Sequence, residues 1–328
     1  DVETFHFIDS LLTESLPRLP VKTELGAMET NTVHQAVAAA LKAKLYFNAE
    51  AYIGKPMYEE AARICQDIID GKYGNYALAT DWTDIFGFRN ETCPEIIWTL
   101  PSENAKLETD GCYWKPSMPY NYKGFLGGLK DSDADNGSCL IPSRDPKGNL
   151  YHFNLSNNYE GYDDKDVRKQ QYVYEEGGKY RGMFVVGKLV NPDHPDWVCV
   201  GARDYIGQPL VIRDQIACFT KVGKEYTSVD ELPSTIATGE EDSGVRLMKR
   251  SPRPMYNPDI PVIRLSEIYY TLAECKMRIG DKQGAADLIN AVRKRNFVDC
   301  VDPDPVTAAN LDKYRMLKEW KLEFLGEG

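Results

Sequence analysis

The side chains best placed to do chemistry in this sequence are aromatic. Tyr113-Trp114-Lys115-Pro116-Ser117-Met118-Pro119-Tyr120-Asn121-Tyr122 holds three Tyr and one Trp within ten residues, broken by two Pro and followed by Gly124 and Gly127-Gly128. No regular core element tolerates that composition. Pro restricts the backbone, so the rings of such a loop are held in place rather than floating. A sugar ring presents a face of C–H bonds that packs on a flat aromatic, while Asn and Lys tips meet its hydroxyls. Rigid rings supply that contact area at little entropic cost. Trp114 leads this candidate ligand-binding set, with Tyr113, Tyr120, Asn121 and Tyr122 around it; the plainer reading is a loop whose rings cover the apolar rim of a scaffold. A second cluster, Asn191-Pro192-Asp193-His194-Pro195-Asp196-Trp197, offers Trp197 flanked by carboxylates, with His194 read as a solvated turn residue.

Other chemistries lack their residues. Asp131-Ser132-Asp133-Ala134-Asp135-Asn136-Gly137 alternates carboxylates as a calcium loop does. Its sixth position is Asn136 where Gly is needed, and its twelfth is Pro142 where a bidentate Glu is needed, so it reads as an acidic turn and no metal site is assigned. The eight Cys show no C-x-x-C and no metal-ligand spacing. Cys65 and Cys275 fall on helix faces as small core residues, and Cys112 with Cys139 is a conceivable disulfide. There is no G-x-S-x-G, H-E-x-x-H or P-loop, no carboxylate pair stands out for glycoside hydrolysis, and no cofactor or catalytic residue is assigned. Twenty Tyr against four His fits a surface that stacks and hydrogen-bonds. A net charge of -11 argues against nucleic acid, which needs a basic footprint.

The elements that must position these loops are helical. In Pro261–Phe297, Leu265, Ile268, Leu272, Cys275 and Ile279 recur at steps of three and four. Gly280-Asp281 breaks the pattern, and a second stripe follows in Ala285, Leu288, Ile289 and Val292. Ala273, Ala285 and Ala286 let the two helices approach closely, giving a hairpin of tetratricopeptide logic. A similar pair precedes it. Ala36–Tyr52 carries Val37, Leu41 and Leu45 in register, Gly54-Lys55-Pro56 breaks it, and Tyr58–Gly71 returns with Ala61, Ala62, Cys65 and Ile68. This first hairpin carries about six more residues at its turn. Such units must stack to bury their faces. Upstream, Phe5, Ile8, Leu11 and Leu12 mark a short helix stopped by Pro17 and Pro20. Ile96-Ile97-Trp98-Thr99-Leu100 reads as a buried strand, with Trp82, Phe86 and Trp98 as core. From Pro101 to about Pro258 helical periodicity is lost, and Arg181–Val190 and Leu210–Arg213 read as strands. No apolar run approaches the ~18 residues of a membrane helix.

The C-terminal hairpin resembles the signature of the SusD/RagB family, outer-membrane lipoproteins that capture nutrients for a partner transporter. The matching residues are Ile263-Arg264-Leu265-Ser266-Glu267, Ala273-Glu274-Cys275, Gly280-Asp281 and Asn290-Ala291-Val292-Arg293-Lys294-Arg295; Cys275 and Asn296-Phe297 depart from it in packing only. Tyr162–Arg168 resembles the family's Asp-x-Arg element, a charge pair fixing the insert against the helices. Arg264 and Glu267, three apart, are expected to pair on one helix face. The resemblance implies a mostly α, SusD-like fold, with tetratricopeptide-like hairpins and a large irregular insert of loops and short strands. Residues 1–100 would form an N-terminal helical part, 101–258 the insert and 259–328 the C-terminal hairpin and final helix, all one compact domain. Both ends read as cut from a longer protein. It further implies a glycan-binding protein at the outer-membrane surface, lipid-anchored through a segment outside this chain, delivering ligand to a SusC-like TonB-dependent transporter without catalysis. Three alternatives stay open: a peptide-binding RagB-like member, a helical-repeat adaptor for protein partners, and an α/α glycosidase.

Overall fold

In the computed structural model, the described residues are 1–23, 30–101, 140, 158–175, 179–191, 194, 196–201, 207–214, 220–221, 224–225, 242, 244–250 and 258–327. The chain divides into two compact units. One comprises 1–103, 258–320 and 328; the other comprises 104–257 and 321–327.

The first unit is built on helices α1 (Val2–Ser15), α2 (Gln35–Phe47), α3 (Ala49–Ile53) and α4 (Tyr58–Ile69). Much further along the chain it adds α5 (Leu265–Arg278), α6 (Lys282–Arg293) and the start of α7 (Lys313–Phe324). The two hairpins stack on each other, α2 on α4, α4 on α5 and α5 on α6. Ala36, Ala39, Ala40 and Ala43 of α2 meet Cys65 and Ile68 of α4, then Leu265, Ile268 and Leu272 of α5. Small side chains on α2 set the close approach; Cys65, Cys275, Ala273, Ala285 and Ala286 are likewise fully buried. The second hairpin is thus a partner the first requires, since neither can bury its stripe alone.

Four local expectations are corrected. The helix expected over 36–52 divides at Asn48, whose side-chain amide donates to the Lys44 carbonyl (2.8 Å) and competes with the helical ladder. α3 then ends at Gly54, whose φ of 70° is the left-handed conformation that Gly adopts without strain. Leu41 is exposed and outside the main core. It shares an apolar groove of about 580 Å3 with Phe5, Ile8 and Leu12 of α1 and Leu45 of α2. In α1 itself only Phe5 is buried, and Leu11 faces solvent. Ile279 is exposed as well, because it caps α5 rather than continuing its stripe.

The hairpins are tied by β1 (Ile96–Leu100), antiparallel to β10 (Ile260–Arg264), with Ile96 opposite Arg264 and Leu100 opposite Ile260. β10 runs straight into α5, so Arg264 ends a strand and the expected Arg264–Glu267 helix-face pair does not form. Arg264 donates to Glu95 Oε1 (3.0 Å) and to the Ser266 hydroxyl, while Glu267 pairs with Lys44 of α2 (2.7 Å). Glu95, fully buried, also takes the Ala79 amide (2.9 Å) and the Arg295 guanidinium, and its carbonyl accepts the first amide of α5 from Leu265 (2.8 Å). Trp82 and Phe86 are core residues.

The remaining polar residues of the C-terminal pattern are also engaged. Asn290 exchanges bonds with the Val306 backbone (2.7 and 2.9 Å). Arg293 binds Asp302 (2.7 Å) and Glu319 (2.6 Å). Burial pulls the Arg293 pKa down, and the carboxylates more than reverse it, leaving it above the ordinary value.

The second unit is assembled from short strands. β2 (Val173–Tyr174) pairs with β3 (Tyr180–Arg181), β4 (Phe184–Val185) with β9 (Arg246–Leu247), and β5 (Gly187–Lys188) with β6 (Val211–Ile212), all antiparallel. β7 (Thr220–Lys221) and β8 (Lys224–Glu225) form a fourth pair. Gly182 separates β3 from β4 at a φ of 70°, where an added Cβ would sit 2.3 Å from the Gln171 carbonyl oxygen. Arg168 is buried and grips Asp166 through two bonds (3.0 and 2.7 Å), then Leu322 O (2.9 Å) and Glu323 (3.0 Å) at the end of α7. Burial pulls its pKa down and Asp166 and Glu323 push it above the ordinary value, as a structural charge cluster requires. Among the described residues, no helix is long and apolar enough to cross a membrane.

Removing Glu95 takes the shared carboxylate away from two buried guanidiniums. Glu95→Ala is expected to lower the unfolding free energy by about 3–5 kcal/mol, read from urea denaturation. A loss under about 1 kcal/mol would show that the cluster does not hold the hairpins.

Candidate functional site

Tyr113, Trp114, Tyr120, Asn121 and Tyr122 lie outside the described residues, as do the 131–137 acidic turn, Cys112 and Cys139. Of the sequence-derived ligand candidates, Trp197 is described.

Trp197 stands on a turn that closes over a small platform of backbone. Leu189 N–H donates to Leu210 O (3.0 Å), Cys199 N–H to Leu189 O (2.9 Å), and Leu210 N–H to Cys199 O (2.9 Å). The platform sequence alternates, so Leu189, Cys199, Leu210 and Ile212 all point inward and are buried. Above it, Val190 bridges Val198, and Asn191 N–H donates to Trp197 O (3.0 Å). His194 N–H reaches both the carbonyl and the side-chain oxygen of Asn191 (3.2 Å each), and Trp197 N–H returns to His194 O (2.8 Å). Asn191 is buried, so a polar side chain is committed to holding the turn in one shape.

The result is a displayed ring. Trp197 keeps 57% of its surface exposed, and the His194 imidazole stacks against the indole at 4.1 Å between centroids and 23° between planes. The expectation for His194 as an exposed turn residue holds, but the stacking gives it a second role that was missed. Its signal was the His194-Pro195-Asp196-Trp197 spacing, which returns the chain on itself and brings two rings together. Asp196, the residue before Trp197 in sequence, is exposed. A flat ring with a backing plate and a nearby carboxylate can take the C–H face of a sugar and accept from its hydroxyls. No group of three or more His, Cys, Asp or Glu among the described residues is arranged to hold a metal ion.

Among the described residues of this unit, Asp214 departs from its ordinary value toward the physiological range. The Asp214 carboxyl is pushed up to about 6, first by burial and then by the Glu160 charge, against relief from the Glu160 backbone N–H and from Lys321 and Lys169. Lys169 itself pairs with Asp164 (2.7 Å) and reaches Glu160 (3.5 Å). Because the Asp214 value is raised above that of an unfolded chain, the folded state binds the extra proton between about pH 6 and the ordinary range near 4. This group therefore adds stability as pH falls from 7 to 5, and Asp214→Asn should remove that increment. Urea unfolding of both proteins at the two pH values measures it; an identical pH dependence would contradict the assignment.

Residues 94–328, more than two thirds of the chain, match the family model described as the SusD family. Among solved structures, the chain is similar to surface glycan-binding protein A from Bacteroides uniformis, at 17% identity and TM-score 0.55, over 99% of this chain and 55% of that one. It is similar to surface glycan-binding protein A from Bacteroides thetaiotaomicron in complex with laminarihexaose, at 20% identity and TM-score 0.55, over 99% of this chain and 59% of that one. It is also similar to a SusD superfamily protein from Parabacteroides distasonis, at 15% identity and TM-score 0.56, over 96% and 54%. At these identities the likeness is one of fold, and the chain spans a little over half the length of the structures it matches. No curated protein matches the sequence.

Proposed function

The chain belongs to the SusD family, and from that premise we propose that it is a glycan-binding protein which captures oligosaccharides without turning them over. The observation that carries this reading is Trp197, a mostly exposed indole on a hydrogen-bonded turn with His194 behind it. A displayed ring already held in one shape fits a ligand that stacks, because little ordering remains to be lost on binding. Two relatives in fold are named as surface glycan-binding proteins, one of them in complex with laminarihexaose. The stretch carrying Tyr113, Trp114, Tyr120, Asn121 and Tyr122 belongs to the same reading, as a second aromatic contributor to ligand binding.

In the cell the protein would be tethered by lipid to the outer-membrane surface of a Gram-negative bacterium and would pass ligand to a SusC-like TonB-dependent transporter. Peptide capture is less well supported. It works best by adding a strand to an exposed sheet edge, and the described strands of the second unit are two residues each.

Calorimetric titration with neutral oligosaccharides, laminarihexaose among them, tests the reading. Trp197→Ala is expected to weaken binding about tenfold or more, roughly 1.4 kcal/mol or above, while leaving stability within about 0.5 kcal/mol. Saturable binding indifferent to both Trp197→Ala and Trp114→Ala would remove the aromatic site; absence of binding to every glycan would remove the function.

A further inference from the structure

The first unit holds a recess of quite different character from the apolar groove at α1. A cleft of about 610 Å3 opens between α2, α3, the start of α4, α5 and α7. Three half-buried rings line it: Phe47, Tyr58 and Trp320. Phe47 and Tyr58 meet edge to face at 6.3 Å, and Tyr270 braces Trp320 at 5.4 Å.

Charged groups fill the spaces between the rings, already paired and held. Arg278 lies over the Tyr58 ring (4.9 Å) and donates to its hydroxyl (2.9 Å) and to Glu274 (2.9 and 2.6 Å). The Trp320 indole N–H donates to the other Glu274 oxygen (2.7 Å), and the Tyr58 hydroxyl donates to Glu50. At the rim, Lys44 pairs with Glu267 (2.7 Å), with 60% of the Lys44 side chain still exposed.

This arrangement selects among ligands. A cation finds its three carboxylates already facing two cations, and an anion finds the reverse, so neither gains much charge. An acyl chain would have to desolvate five charged groups. A hydroxyl is donor and acceptor at once. The rim offers it both halves: Glu50, which accepts from the Tyr58 hydroxyl through one oxygen, and Glu267, which pairs with Lys44 through one oxygen, each keep a second oxygen as acceptor, and the Lys44 ammonium keeps further N–H donors. Vicinal hydroxyls over an aromatic floor match such a surface.

We propose that this cleft is a second binding site for neutral sugar, separate from the Trp197 ledge and sharing with it only the class of ligand. Its elements come from both hairpins, so a ligand bound here would also bridge α2 to α5.

The protein labelled with 5-fluorotryptophan has five Trp signals, assignable by single Trp→Phe substitutions. Titration with laminarihexaose, maltohexaose, xylohexaose and mannohexaose should move the Trp320 signal saturably for at least one of them. That shift should persist in Trp197→Ala and Trp114→Ala. It should weaken tenfold or more in Lys44→Ala and in Glu50→Gln, both exposed positions that leave the core untouched. A Trp320 signal that stays still while Trp197 responds overturns the second site and leaves the proposed function standing; silence at every Trp overturns both. Loss of the Trp320 response in Trp197→Ala, or indifference to Lys44→Ala and Glu50→Gln, also overturns it.

Discussion

One buried carboxylate holds the helical unit together. Glu95, at the entry to β1, takes Arg264 from the end of β10, Arg295 from just beyond α6 and the Ala79 amide. Its carbonyl meanwhile caps the first turn of α5. A charged pair in a dry interior is costly unless every partner is satisfied, which makes the arrangement nearly all-or-none. The residues it joins lie about two hundred positions apart in sequence. It adds a buried, charge-paired lock to the β1–β10 ladder and to the Lys44–Glu267 and Arg278–Tyr58 contacts that also join the hairpins.

That constraint explains which parts of the fold were legible in the sequence. Helix stripes are local, so Leu265, Ile268, Leu272 and Cys275 announced α5, and Ala61, Cys65 and Ile68 announced α4; all seven are buried. Partner choice is non-local and was misread: Arg264 and Glu267 are three apart and look like a pair, yet a strand–helix junction between them turns Arg264 to Glu95 and leaves Glu267 to Lys44. Asn48 is another such case, since the Ala-rich pattern runs through it and only its side-chain bond to Lys44 O interrupts the helix. Of the candidate site, the exposure of Trp197 could be read from its Pro- and Asp-rich neighbours. The His194 plate and the buried Asn191 brace could not, because they depend on how the turn closes.

The buried charge of this scaffold is thus spent on rigidity. Arg168, Arg264, Arg293 and Arg295 are each locked to carboxylates or carbonyls rather than aimed at solvent. Among the described residues, Trp197 is ring surface on a braced turn, and under the proposed reading it suits capture by stacking and hydrogen bonding. Under the proposed reading rigid display matters because a sugar would gain little from each contact, and ordering a loose segment on binding would cancel it.

The most direct measurement is mass balance on a bound glycan. The protein would be saturated with the tightest-binding oligosaccharide of a plant, host and microbial panel, held for hours, and the ligand recovered and sized, with reducing ends counted. Stoichiometric retention and recovery of intact ligand is the result predicted for a capture protein. Shortened ligand, or new reducing ends that grow with time and protein concentration, would contradict it and make the chain an enzyme.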